Sequence, residues 1–384
     1  MRKTSLFLLF SLLACLCYAE QPLSIIVSNP TGETWLEAPV LAPFTKEMAG
    51  MGAQDLVLKG TEILPVQLDD LNKDGSPDEM VFLASLGPGD VKQYHLMKNT
   101  YGYYSPCRTH TGMYVKGFEG PGWESDRLGF RLYWDERNAI DLFCKRMPTL
   151  GLKQYATPGV NYHMDTAWGM DVLKVGTSLG AGGFGVWLGG KVEKVAKAQR
   201  DYEVKADGPL RAIIDLKYTD WTIGERKFNL IARISMFAGQ KWANIELWLT
   251  PLDGSPAPEF VTGVVKHEDT TLIQDKAAGI MGRWGLQALA PGEKPKGSHL
   301  GFGIAANPSQ IVAFGEDAVN SFVRLRGIAP PLSAGAEKEK QIYVSYKVHA
   351  SWIHEPGGAS SSEDYERMLR SLARQKPEIK ISEK

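Results

Sequence analysis

The chain has 384 residues, 43% of them hydrophobic, with 43 lysines and arginines against 44 aspartates and glutamates and a formal charge of −1. So even a balance, with no polybasic tail or basic stripe, argues against nucleic acid and anionic membrane surfaces as partners. The length is sufficient for one large domain and a small one without disulfide staples.

In chain order, Arg2 and Lys3 precede an apolar run from Leu6 to Leu13 and small residues leading to Ala19. This pattern predicts a signal peptide over residues 1–19, too short for a membrane span. The Leu12-Leu13-Ala14-Cys15 stretch offers the alternative of a lipid anchor on Cys15. Both readings predict a periplasmic or secreted protein. Of the four cysteines, only Cys107 and Cys144 then remain, open either to one disulfide or to two thiols.

Residues 20–105 read as short strands broken by turn residues (LSIIVSN, DLVLKGTEILPVQL, EMVFLASL, VKQYHLMKN), which predicts a small N-terminal β-sandwich serving as an accessory domain. Within it, DLNKDGSPDE spaces Asp70, Asn72, Asp74, Asp78 and Glu79 like the start of a calcium loop, with Gly75 at the bend. Val81 stands where an EF-hand needs its bidentate glutamate, so the choice lies between a structural Ca²⁺ and a metal-free turn closed by Asx side chains.

Residues 106–384 carry longer strands joined by tight Gly, Asp and Pro turns, such as PLRAIIDLKYTDWTI and KWANIELWLTPL. They predict an all-β fold, in which a large antiparallel β-sandwich forms the catalytic domain. One helix is expected, over Ser362 to Gln375, where Tyr365, Met368, Leu369 and Leu372 recur at helical spacing after a serine run.

Charge and aromatic surface concentrate in GWESDRLGFR, residues 122–131. Read as one continuous strand, it puts Trp123, Ser125, Arg127, Gly129 and Arg131 on one face and Glu124, Asp126, Leu128 and Phe130 on the other. Three further segments place polar residues where a packed sandwich favours apolar ones: Asn161 to Asp171, with Tyr162, His163 and Trp168; Thr262 to His267, with Lys266; and Val348 to Trp352, with His349. Histidines, arginines and tryptophans from separate strands converging on a groove would suit an acidic sugar. The exported part has no HExxH, GxSxG or repeated Cys/His spacing, so zinc hydrolysis and serine acyl transfer lack a motif.

The order PVQLDDLNKDGSPDE, WESDRLGFRLY, YHMDTAWGMDVLKVGTSLGAGG, DGPLRA and TGVVKH resembles the family known as domain of unknown function 4861. The resemblance implies a place among polysaccharide-degrading proteins and a galactose-mutarotase-like β-supersandwich, similar to that of several polysaccharide lyases. It also implies an activity like dehydration of oligosaccharides at a terminal uronic acid.

Abstracting the C5 proton of a uronic acid adds charge beside a carboxylate, so the chemistry needs a cation on that carboxylate, a base near C5 and an acid near the oxygen leaving C4. The expected assignments are Arg127 and Arg131 on the carboxylate, His163 and His267 as base and acid with Tyr162 and Lys266 as substitutes, Trp123 and Trp168 stacking on sugar rings, and Asp171 or Glu124 holding hydroxyls or orienting a histidine. No catalytic cofactor is needed. A carbon–oxygen lyase, most simply a dehydratase, is therefore the leading expectation. Two alternatives remain, a glycoside hydrolase pairing Glu124 with Glu268 or Asp269 across a groove and a non-catalytic carbohydrate-binding protein.

Overall fold

The structure is a computed structural model and describes residues 23–51, 55–287, 298–331 and 341–382. The leader expected over residues 1–19, and with it Cys15, lies outside the described residues.

The fold is all-β; among the described residues it is built from five sheets, and every extended strand pair there is antiparallel. In the N-terminal part, a three-stranded sheet (Trp35–Pro43, Glu79–Leu86, Gln67–Asp69) accompanies a five-stranded one containing Ser24–Ser28 and Val91–Lys98. Alternating apolar residues of both sheets, among them Ile25, Val27, Val40, Phe82, Tyr94 and Leu96, form one core. The edge strand of the five-stranded sheet is Glu378–Ser382, which pairs with Ser24–Ser28, so the small unit is completed by the far end of the chain.

Three sheets enclose the main core. An eight-stranded sheet contains the long strands Arg211–Ile223, Arg226–Phe237, Trp242–Pro251 and Ile342–Trp352. A five-stranded sheet is centred on Glu259–Val265. A second five-stranded sheet runs in the order Gly169–Asp171, Ile140–Lys145, Leu128–Leu132, Gly120–Ser125, Thr109–Tyr114. Phe130 and Leu142, Phe184 and Val323, and Ile234, Leu247 and Tyr346 meet in a common core. Burying even one such side chain stabilises the fold by roughly 1.5–3 kcal/mol.

The expected helix forms over Ser362–Arg374, with the Ser361 hydroxyl accepting from the Asp364 amide at its start. Tyr365, Leu369 and Leu372 are buried beneath it. Its seat on the eight-stranded sheet requires glycine: a Cβ on Gly301 would stand 2.3 Å from the Tyr365 ring.

Residues 122–131 do not form one strand. Asp126 and Arg127 turn the chain between the strands Gly120–Ser125 and Leu128–Leu132, which reverses the expected facing. Trp123 pairs with Phe130 on the core face, while Glu124 lies opposite Gly129 on the same outer face as Arg131. No sugar can stack on Trp123, which is 1% exposed and packed on Phe130 at 5.7 Å.

The acidic turn is closed by its own backbone. Asp78 accepts from the Leu71 and Asn72 amides, Asp70 from those of Asp74 and Gly75, Asn72 from Asp74, and Asp74 from Ser76. Glu79 instead turns to Arg211, 2.8 Å away. Among the described residues no three His, Cys, Asp or Glu side chains gather in metal-ligating geometry, and the Asx side chains close the turn on backbone amides. Cys107 is exposed and Cys144 buried, both as free thiols.

Candidate functional site

The outer face of the sheet holding Arg131 is covered by the chain from Arg146 to Trp168, which includes the short helix Leu152–Tyr155. Between the two lies a polar seam. Its centre is Arg131, 1% exposed, with Asp141 directly opposite on the neighbouring strand. The guanidinium donates to Asp141 Oδ2 through Nε at 3.1 Å and Nη2 at 2.9 Å, and Nη1 donates to the Tyr162 hydroxyl at 2.9 Å. A further bond runs to the Tyr133 hydroxyl. The rings of Tyr133, Tyr162, Phe118 and Phe143 surround it with centroids 4.3–5.8 Å away, a box suited to a desolvated cation.

A second carboxylate, Asp171, stands 3.8 Å from Arg131 and is 2% exposed. Its Oδ2 lies 3.2 Å from Nδ1 of His163, whose side chain is 57% exposed. The arrangement is fixed locally: the Asp171 amide donates to the Tyr162 carbonyl, and Gly169, at φ +145°, allows the strand to lie where a Cβ would meet the Cys144 carbonyl at 1.9 Å. The result is a chain of charge from the buried Arg131 through Asp171 to a solvent-facing imidazole.

The electrostatics follow from that order. The hydrogen bond to Asp171 raises the His163 pKa, partial burial opposes this, and the Asp171 and Asp141 charges reinforce it. Burial also raises the Asp141 pKa, helped by Asp171 and opposed by Arg131. With both aspartates ionised, one guanidinium leaves an unbalanced negative charge, and a protonated His163 neutralises it.

Other expected residues lie elsewhere. Glu124 is 1% exposed and occupied by Lys145 and by the Gly151 and Leu152 amides, at 2.9 and 3.0 Å. It is therefore withdrawn from substrate and from any hydrolase pair with Glu268 or Asp269. Trp168 is 8% exposed and stacks on Tyr155 at 4.2 Å, roofing the seam rather than facing a ligand. Arg127 sits at the hairpin turn beside Lys145 and Lys241, at the opposite end of its strand from the Arg131 seam.

Lys266 pairs with Glu316 at 3.2 Å, and His267 is lodged near Lys174 and Arg283, its pKa lowered first by burial. Among the described residues no hydrogen bond or ion pair joins them to His163. His349 is 7% exposed, and burial pushes its pKa down to about 3, so it is a neutral core group.

Of the expected site, the structure thus unites Arg131, Tyr162, His163 and Asp171. Asp141 and Tyr133 were missed. The available signal was IDLFCK, an apolar strand with Asp141 and Lys145 four residues apart on one face.

Several known proteins are similar to this chain. An "Uncharacterized protein P7" from Formosa agariphila is 25% identical over 333 residues, covering 78% of this chain and 79% of that protein. Two solved structures share the fold at 10% identity: a protein in glycosyl hydrolase family 38 from Enterococcus faecalis, TM-score 0.54, and an α-mannosidase from Enterococcus faecalis V583, TM-score 0.52. Both matches cover 95% of this chain but 48% and 46% of the others, so the chain spans about half the length of those proteins. Residues 27–378 match the family model described as "Domain of unknown function (DUF4861)", and the chain belongs to that family.

Proposed function

We propose that this protein processes carbohydrate and acts as a carbon–oxygen lyase on uronic-acid oligosaccharides, with His163 as its proton-transfer group. The carrying observation is the contact between His163 and Asp171 above buried Arg131. An exposed imidazole oriented by a buried carboxylate, with its Nε2 free of that contact, is equipped to exchange a proton with a ligand. The likeness to a glycosyl hydrolase family 38 protein and to an α-mannosidase, together with the family resemblance, supports a saccharide substrate.

In the proposed reaction the neutral His163 ring takes the C5 proton on Nε2, the C–H electron pair forms the C4–C5 double bond, and the C4–O bond breaks with its electrons on the departing oxygen. The imidazolium so formed, held by Asp171, passes that proton to the departing oxygen. Tyr162, whose oxygen accepts from Arg131, donates its hydroxyl hydrogen to the substrate carboxylate. Arg131 does not touch the sugar: being buried, it fixes Asp171 and Tyr162. Loss of hydroxyl makes the enzyme a dehydratase, and loss of a sugar makes it a lyase of glycosidic bonds. Incubation with uronic-acid oligosaccharides followed by mass spectrometry tests the reading. An unsaturated product formed with loss of water or saccharide supports it; saturated products indicate hydrolysis, and unchanged substrate that still binds indicates a binding protein.

A further inference from the structure

A cavity of about 720 Å³ lies away from the His163 seam, between the helix Ser362–Arg374 and the eight-stranded sheet, with Thr31 of the N-terminal unit at its border. On the sheet side, Tyr343, Ser345 and Lys347 alternate onto one face of their strand, and Asn244 lies opposite Lys347 on the next. Across from them stand Arg370, Arg374 and Lys376. Among the described residues four cations line the cavity and no carboxylate does.

Two of these cations are already satisfied. Arg370 pairs with Glu366 and Asp275, and Arg374 with Glu33. The lysines differ. Lys347 Nζ donates to the carbonyls of Leu372 and Gln375 at 3.3 and 3.0 Å, capping the helix end, and among the described residues neither it nor Lys376 meets a carboxylate. Burial and the nearby Lys376 together push the Lys347 pKa down to about 8, as expected where positive charge is crowded and desolvated. An anion would relieve that crowding. The other linings, an aromatic ring at Tyr343 and the amides and hydroxyls of Asn244, Gln310 and Ser345, are groups that pack against and hydrogen-bond sugar.

We infer that this cavity is a second, non-catalytic binding site for an anionic oligosaccharide, with Lys347 and Lys376 holding a carboxylate or sulfate. The inference shares the acidic ligand class of the proposed function but does not require that His163 catalyse anything. The test is calorimetric titration of the full chain with oligogalacturonate, dextran sulfate oligomers and uncharged dextran oligomers. Wild type should bind one or both anionic probes and not the neutral one, and the carboxylated and sulfated arms show which anion is preferred. Lys376→Glu alone should weaken binding severalfold, and Lys347→Met/Lys376→Glu by about tenfold or more, while His163→Ala retains it. Should the double variant not fold, Lys376→Glu decides. Anion binding within twofold of wild type in Lys376→Glu, equal binding of neutral dextran, or no binding by wild type overturns the inference. Binding lost in His163→Ala but kept in Lys376→Glu assigns the ligand to the His163 site alone and likewise overturns it. Anion binding lost only in the lysine variants, with every uronic substrate left unreacted, supports this site while refuting the proposed catalysis.

Discussion

Nδ1 of His163 stands 3.2 Å from Oδ2 of Asp171, an exposed ring resting on a carboxylate that is itself 2% exposed. The ring is the group that reaches ligand and the carboxylate is what holds it. On a uronic-acid oligosaccharide, His163→Ala should lower turnover by roughly 10²–10⁴-fold. Asp171→Asn should lower kcat more than it raises KM, because it misorients the ring without removing it. Unchanged rates in both variants would take the pair out of the mechanism.

The same contact sets a pH dependence. Asp171 raises the His163 pKa in the folded protein above its unfolded value. The stabilisation is therefore fully present below the ordinary imidazole pKa and is lost as pH rises through the folded one. Because the ring is largely exposed, the effect on stability is small. NMR titration of the ring should show a pKa above the ordinary value that falls in Asp171→Asn; an identical titration in both proteins contradicts the ion pair.

Arg131 and Asp141 face each other across the strand register, each 1% exposed. Arg131→Met leaves two buried carboxylates without their cation, at a cost of about 3–5 kcal/mol. Urea unfolding checks this: the midpoint should fall well below that of wild type. The His163 titration in the same variant, where it folds, should shift further upward as the opposing guanidinium is lost.

Glu124 and Lys145 are predicted to be structural. Removing one partner, as in Lys145→Met, strands a buried carboxylate and should cost about 3–5 kcal/mol, whereas replacing both by apolar residues (Glu124→Leu/Lys145→Met) should recover much of the loss. If instead Glu124→Gln abolishes turnover while leaving the unfolding midpoint unchanged, Glu124 belongs to the chemistry.

Gly169 places Asp171. With φ at +145° and the Cys144 carbonyl 1.9 Å from any Cβ, Gly169→Ala forces the Gly169–Asp171 strand off its neighbour. The expected loss exceeds the ordinary mutational cost of about 1 kcal/mol, with faster amide exchange confined to residues around 144–171. Wild-type exchange there would show that the strand tolerates the side chain.

Much of this molecule was legible in its residues. Period-two alternation with β-branched residues marked the strands, and Tyr365, Leu369 and Leu372 behind a serine run marked the closing helix. Tyr162, His163 and Asp171 stood out together as polar residues in one short segment. The error in GWESDRLGFR came from a turn without glycine or proline at its centre: Asp126 and Arg127 reverse the chain, and the inserted turn exchanges the faces that Trp123 and Glu124 present.

The alternation of apolar and polar residues determined by itself that the chain is antiparallel β, because that period is local and each strand carries it within a few residues. Only the tertiary structure decided that Arg131 meets Asp141, that Asp171 turns toward His163, and that Lys266 and His267 lie apart from them. Such pairings depend on strand register and on which surfaces are shut from water, and a charge acquires its role only from neighbours that folding brings to it.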